Sequence, residues 1–294
     1  MKGLYTRRNI SECLGAAWTL MSTNLGRIVK ALWLPTLVYT LAEAITAPLS
    51  LAFVKHSILS QGTIADIVAI TALTIIAIAA IIVAYAKTIK LLNEQTFKHN
   101  LTRSLKSFLI AAVFFIAMFA IYMAIIGGTS YIISNGKMSQ TLATIATVII
   151  SVMFVIIAFI LYCPLNYVLT KYMIEPETKI KHIMKNYRTG MRSLGFIAGC
   201  ILLCMLLMGT IYNITALPAY IATLAATLSN DGIAMGDEAG MPGYFPYICG
   251  LATFIATIVY MLLTIWYTLV SYYQYASIEA RNGRTDTPKE ETDK

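Results

Sequence analysis

The residue best suited to chemistry in this sequence is Glu43, an acidic side chain near the middle of a long apolar run between Pro35 and Pro48. A charged side chain at the centre of a bilayer costs about 2.5 kcal/mol or more, so we expect Glu43 to face a partner group or a polar cavity. Two roles fit this position: coupling of a proton or cation, or a structural hydrogen bond between two helices. The substitution Glu43→Gln separates them, because it keeps the hydrogen-bonding head and removes the titrating group.

Two asparagines are the other polar intrusions into apolar runs. Asn213 lies one turn before Pro218, which frees a backbone carbonyl, and Asn166 lies close to the end of another run. Such amides either line a substrate cavity or bond across helices, for about 1 kcal/mol each. Together with Glu43, Asn213 and Asn166 form the candidate intramembrane polar site.

Other chemistry has little support in the sequence. The three histidines, His56, His99 and His182, are not spaced as metal ligands, and lone cysteines usually behave as small hydrophobes. The sequence contains no phosphate loop, zinc-protease motif or nucleophile elbow. We therefore expect no enzyme activity, no cofactor and no metal site.

The elements that position these residues are long apolar helices. Hydrophobic residues make up 58% of the 294 residues and charged ones only 12%, about half the usual share. About 20 helical residues cross a bilayer, and only helices or closed barrels satisfy the backbone there. The sequence predicts an all-α polytopic membrane protein with six transmembrane helices, at residues 28–54, 64–89, 108–133, 141–170, 194–228 and 248–278. Residues 1–278 are predicted to be a single membrane domain, and residues 279–294 a disordered cytoplasmic tail.

Basic residues predict the orientation. Counted with the basic residues at the run ends, such as Lys30 and Lys87, alternate segments hold five, five, six and four of the 22 Lys and Arg residues, whereas the others hold one, one and none. The positive-inside rule then places both termini in the cytoplasm, and we expect a multi-pass protein of the cell inner (plasma) membrane. The expected partners are the lipid bilayer, its anionic headgroups on the cytoplasmic side and a membrane protein, but not nucleic acid.

The cytoplasmic segments predict amphipathic helices that lie in the membrane interface. Asn9 and Glu12 have the spacing of a capping box, and a third helix is expected to begin near Pro176 and stop at Gly190. The middle segment is expected to begin near Asn93 and to carry Phe97, Leu101, Leu105 and Phe108 on one face.

The predicted starts of these three amphipathic helices suggest a repeat. The starts fall near Asn9, Asn93 and Glu175, and each precedes two apolar runs. The pattern favours three parallel units, each an interfacial helix followed by a hairpin. The alternative is that any hairpins of ordinary length produce this spacing.

Three stretches carry a resemblance to a known family: residues 11–18, the sequence Tyr-Arg-Thr-Gly at 187–190, and residues 273–284. The chain resembles bacterial multi-span proteins related to the membrane domain that accompanies glycerophosphodiester phosphodiesterases. The resemblance implies a six-helix inner-membrane domain. It does not imply phosphodiesterase chemistry, because the chain has no soluble domain with the required carboxylates and histidines.

Two classes of function remain. The mostly apolar spans favour a non-enzymatic membrane component that organises or regulates a partner. The alternative is a transporter or permease for a small solute, which Glu43, the proline-interrupted first and fifth spans and the three-unit repeat favour.

Overall fold

The computed structural model describes residues 4–58, 64–93, 95–134, 140–236 and 241–284. These residues form eight α-helices, a short 3-10 helix at Ile180–His182 and no strand, which confirms the all-α prediction. The helices are α1 (Ile10–Thr23), α2 (Leu25–Ile58), α3 (Ile64–Asn93), α4 (Phe97–Ser134), α5 (Gln140–Ile174), α6 (Ile183–Arg192), α7 (Leu194–Ala234) and α8 (Phe245–Arg281).

Six of these helices, α2 to α5, α7 and α8, are long and apolar enough to cross a membrane. The chain is therefore a multi-pass membrane protein, as the sequence predicted. Each of the six helices begins before the apolar run that predicted it or at its first residue. All six end beyond the run, because polar residues at the run ends continue the helix. Prolines lie inside α2, α5 and α7 without ending them, as transmembrane helices tolerate.

The chain divides into two compact units, which are described separately. The first consists of Met1–Cys13, Thr102–Ile201 and Ser271–Lys294, and the second of Leu14–Leu101 and Leu202–Val270. In the first unit, α6 packs on α5, and in the second, α3 packs on α2. Small side chains allow a close approach in the second unit: a Cβ on Gly250 would lie 2.9 Å from the Ala44 carbonyl oxygen.

The structure bears out the predicted start of α1. The Glu12 amide donates to Asn9 Oδ1 at 2.8 Å, and the Asn9 amide donates to Glu12 Oε2 at 2.9 Å. Both bonds of a capping box are present.

The prediction for the middle segment was wrong, because its residues belong to α4, which continues without a break from Phe97 to Ser134. No proline or glycine interrupts residues 97–126, so nothing in the sequence separates an amphipathic helix from the span. Among the residues that the structure describes, a separate short α-helix precedes a span only at α1 and α6.

Gly190 does not end α6, which continues to Arg192. A Cβ at Gly190 would lie 3.0 Å from both Cα and Cβ of Pro164, so this glycine lets α6 approach α5 closely. The tail was also predicted to begin too early: α8 extends to Arg281, and Glu279 is 8% exposed. Residues 285–294 of that predicted tail lie outside the described residues.

Candidate functional site

Six polar side chains of the first unit converge where α5 and α8 end. We call Tyr167, Lys171, Glu175, Tyr275, Glu279 and Arg284 the charged cluster. Residues four apart share a helix face, so α5 presents Tyr167 and Lys171 together and α8 presents Tyr275 and Glu279 together. Glu175 and Arg284 follow the ends of these two helices.

Glu279 accepts two hydrogen bonds from α5. The Tyr167 hydroxyl donates to Glu279 Oε1 at 2.5 Å, and Lys171 Nζ donates to the same oxygen at 2.9 Å. Such buried carboxylates are costly unless paired and hydrogen-bonded, and here both conditions are met. The three side chains therefore join α5 to α8.

Glu175 is the second acceptor of the cluster. Tyr275 and Arg284 both donate to Glu175 Oε1, Thr178 Oγ1 donates to Oε2 at 2.7 Å, and Lys171 Nζ lies 4.0 Å from Oε2. Burial by itself raises the pKa of Glu175. The hydrogen bonds from Tyr275 and Thr178 and the charges of Lys171 and Arg284 outweigh it, and hold that pKa below its usual value.

Arg103 of α4 fixes the turn that carries Glu175. Its guanidinium donates to the carbonyl oxygens of Glu175, Pro176 and Thr178 at 2.8, 2.7 and 2.9 Å. The group also lies 4.1 Å from the ring centroid of Tyr172, a cation–π contact. Three carbonyls directed at one planar fork define the conformation of the turn.

The segment before α1 is held to α8. The Arg8 amide donates to Ser277 Oγ at 2.9 Å, and the Ser277 hydroxyl donates back to the Arg8 carbonyl at 3.0 Å. Arg281 Nη2 donates to the same carbonyl at 2.8 Å, and the Arg8 guanidinium lies over the Tyr273 ring. Three hydrogen bonds and a cation–π contact thus hold the N-terminal segment to the end of α8.

An open cleft of about 530 Å³ lies beside the charged cluster. One wall consists of cluster residues on α5 and α8, including Lys171 and Glu279. The other wall is α6 with the turn before it, and its lining side chains are His182, Lys185, Asn186, Thr189 and Arg192. Every lining residue has a polar or charged side chain.

The ten residues of α6 present three different faces, as 3.6 residues per turn requires. Tyr187 and Gly190 face α5, where the Tyr187 hydroxyl donates to the Leu161 carbonyl at 3.1 Å. The cleft-lining residues form a second face. Met184 and Met191, seven residues apart, are exposed on a third.

Glu43, the principal residue of the predicted polar site, lies in the second unit among tyrosines. Tyr39 and Tyr212 are close enough to interact electrostatically with its carboxyl group. The ring centroids of Tyr39 and Tyr260 are 6.2 Å apart, and those of Tyr212 and Tyr260 are 5.5 Å apart. Glu43 therefore lies near a group of tyrosines that was not predicted from the sequence.

The two asparagines do not join Glu43. Asn213 is exposed, and its Nδ2 donates to the Gly209 carbonyl of its own helix at 2.7 Å. Its neighbour Tyr212 is the residue that faces the Glu43 region. Asn166 is buried in the first unit, where its Nδ2 has no hydrogen-bond partner among the described residues.

Sequence reasoning missed the charged cluster. The sequence does contain a signal, because Glu175 and Glu279 each follow the end of an apolar run. Tyr167 lies eight residues before Glu175, and Tyr275 lies four residues before Glu279. The contacts themselves join residues about 100 positions apart, which one sequence does not reveal.

The cluster is suited to holding helix ends together, because its carboxylates already accept bonds from its own tyrosines and basic groups. In the described part of the chain, no three His, Cys, Asp or Glu side chains are placed to hold a metal ion. Comparison with known proteins gives no match, whether to a family model, a curated protein or a solved structure. The resemblance to the phosphodiesterase-associated membrane domain therefore stays a prediction.

Proposed function

We propose that this multi-pass protein is a non-enzymatic component of the cell inner (plasma) membrane that organises or regulates a membrane protein partner. Both termini lie in the cytoplasm in this proposal, which rests on the strong bias of basic residues to alternate segments. The charged cluster then lies at the cytoplasmic side, near anionic lipid headgroups.

The observation that carries the proposal is the exposure of α4 and α5. In the most apolar 18-residue stretch of α5 no residue is buried, and in that of α4 only 6% are. The two helices contact each other through aromatic pairs and a 3.1 Å hydrogen bond between Tyr122 and Ser151, and present their remaining apolar surface outward. Such a surface suits helix packing with a second membrane protein.

Site-specific photo-crosslinking in cells tests this role. A photoreactive residue replaces Ile116 of α4 or Val155 of α5, which are 68% and 64% exposed, and the control replaces Ile221 of α7, which is 65% exposed. We expect a discrete protein adduct from the first two positions and only lipid adducts from the third. Lipid adducts alone at all three positions would contradict the proposal.

Accessibility of a single cysteine tests the orientation. In a cysteine-free background, we expect Lys181→Cys to react with a membrane-impermeant reagent only after the cells are permeabilised. Reaction in intact cells would reverse the assigned topology.

The alternative is a transporter or permease for a small solute, and Glu43 with Tyr39 and Tyr212 nearby favours it. A carboxylate beside aromatic rings suits a small cation, because ring faces attract positive charge. Uptake by proteoliposomes that Glu43→Gln abolishes, while the protein stays folded, would favour transport. Equal solute content in proteoliposomes and empty liposomes would favour the membrane component.

A further inference from the structure

The cleft beside the charged cluster has unequal walls. On the α5 and α8 side, Glu175 and Glu279 accept bonds from Tyr167, Tyr275 and Thr178 and are matched by the charges of Lys171 and Arg284. This wall is therefore close to electrically neutral, and both oxygens of Glu175 and Oε1 of Glu279 already accept hydrogen bonds.

The α6 wall has basic groups without such partners. Lys185 and Arg192 both line the cleft, and neither has an acidic partner within the described ranges. Asn186 and Thr189 add an amide and a hydroxyl between them, and His182 lies at the start of the same face. Glu177 is the one acidic lining residue outside the charged cluster, and it is exposed.

Two cations, an amide and a hydroxyl on one helical face match the charge and the acceptor oxygens of a phosphate group. The volume of about 530 Å³ exceeds that of a phosphate and accommodates a substituted one, such as a glycerophosphate headgroup. We propose that the cleft between α6 and the charged cluster is a binding site for a phosphate-bearing ligand, either an anionic phospholipid headgroup or a soluble phosphate ester.

The site goes beyond the proposed function and does not depend on it, because a headgroup site fits a partner-binding component and a transporter equally. It also differs from the general attraction of basic segments to anionic lipid, which needs no cavity and follows total charge. That difference provides the control. Lys181 and Arg188 lie on the same short segment, outside the cleft lining, so their replacement changes the total charge equally.

Isothermal titration calorimetry of the purified full-length protein in detergent at about 0.15 M salt tests the site. The probes are short-chain phosphatidylglycerol, phosphatidylcholine with the same chains, glycerol 3-phosphate and inorganic phosphate. We expect saturable binding of phosphatidylglycerol or of glycerol 3-phosphate. Binding of the lipid alone identifies the headgroup as the source, and binding of the soluble ester identifies a metabolite.

The double variant Lys185→Gln/Arg192→Gln should weaken this binding at least tenfold, because it removes two charged hydrogen-bond donors. The matched variant Lys181→Gln/Arg188→Gln should change it less than about threefold. Circular dichroism checks that both remain folded, and the single variants Lys185→Gln and Arg192→Gln replace the double one if it does not. Absence of saturable binding, equal binding of phosphatidylcholine, or equal losses in the two double variants would overturn the proposal.

Discussion

Replacement of Arg103 should release the turn that carries Glu175. Arg103 is 6% exposed and donates to three carbonyl oxygens. Hydrogen bonds from a charged group contribute about 1.5–3 kcal/mol each, but Pro176 is exposed, so water can replace part of the loss at this turn. Contact with the Tyr172 ring adds about 1 kcal/mol. We expect Arg103→Met to lower the free energy of unfolding by about 2–4 kcal/mol.

The measurement is unfolding in mixed detergent micelles by titration with dodecyl sulfate, followed by circular dichroism. Arg103→Lys keeps the charge but lacks the planar fork, so we expect it to lose about half as much stability. The control is Arg188→Met at an exposed position of α6, where we expect the free energy of unfolding to change by less than about 0.5 kcal/mol. If Arg103→Met changed stability no more than this control, the turn would not depend on Arg103.

A double-mutant cycle tests the connection between the turn and the cluster. The Tyr275 hydroxyl donates to Glu175, whose position depends on the turn that Arg103 holds. Losses in Arg103→Met and Tyr275→Phe should therefore not add, and we expect a coupling energy above about 0.5 kcal/mol. Additive losses would mean that Arg103 stabilises only the backbone.

Three further predictions use the same unfolding measurement. Tyr167→Phe should cost about 1–2 kcal/mol, because Glu279 loses one of its two donors; a change below about 0.3 kcal/mol would refute this. The pKa of Glu175 is lower in the folded protein than its usual value of 4.5, so this group stabilises the fold fully above pH 4.5 and loses that contribution as the pH falls through the folded-state pKa. Below about pH 5, wild type should therefore lose more stability on acidification than Glu175→Gln. Parallel curves of stability against pH would count against this prediction. Gly190→Ala should cost about 1–3 kcal/mol because its Cβ meets the α5 backbone, whereas Gly195→Ala, with open space around the new methyl, should be neutral or slightly stabilising; equal effects would contradict the close approach.

The predictions that succeeded depend on local pattern. Runs of apolar residues longer than a bilayer core predict spans whatever their neighbours are, and all six helices are present. The capping box at Asn9 and Glu12 involves residues three apart, so its two bonds follow from the sequence alone. The prediction of a separate middle helix used a local pattern too, but it was wrong. The apolar face of residues 97–108 is real, yet no proline or glycine ends a helix between that face and the span.

The charged cluster depends on contacts that no local pattern contains. Lys171 and Glu175 read as ordinary charges after a span, and Glu279 and Arg284 read as the start of a tail. Only the packing of α5 beside α8 makes them partners. Asn213 was predicted to belong to a polar site and does not. Its amide donates to the backbone of its own helix, and the adjacent Tyr212 contacts Tyr260 of α8 instead.

The position of each carboxylate along its helix explains how it is used. Glu175 and Glu279 lie at helix ends, where long basic side chains and tyrosine hydroxyls can reach them and the cost of desolvation is reduced. Glu43 lies deep in α2, where tyrosine rings are its neighbours. Because Lys171 touches Glu279 and also lines the cleft, an anion bound there would compete with Glu279 for the same ammonium group.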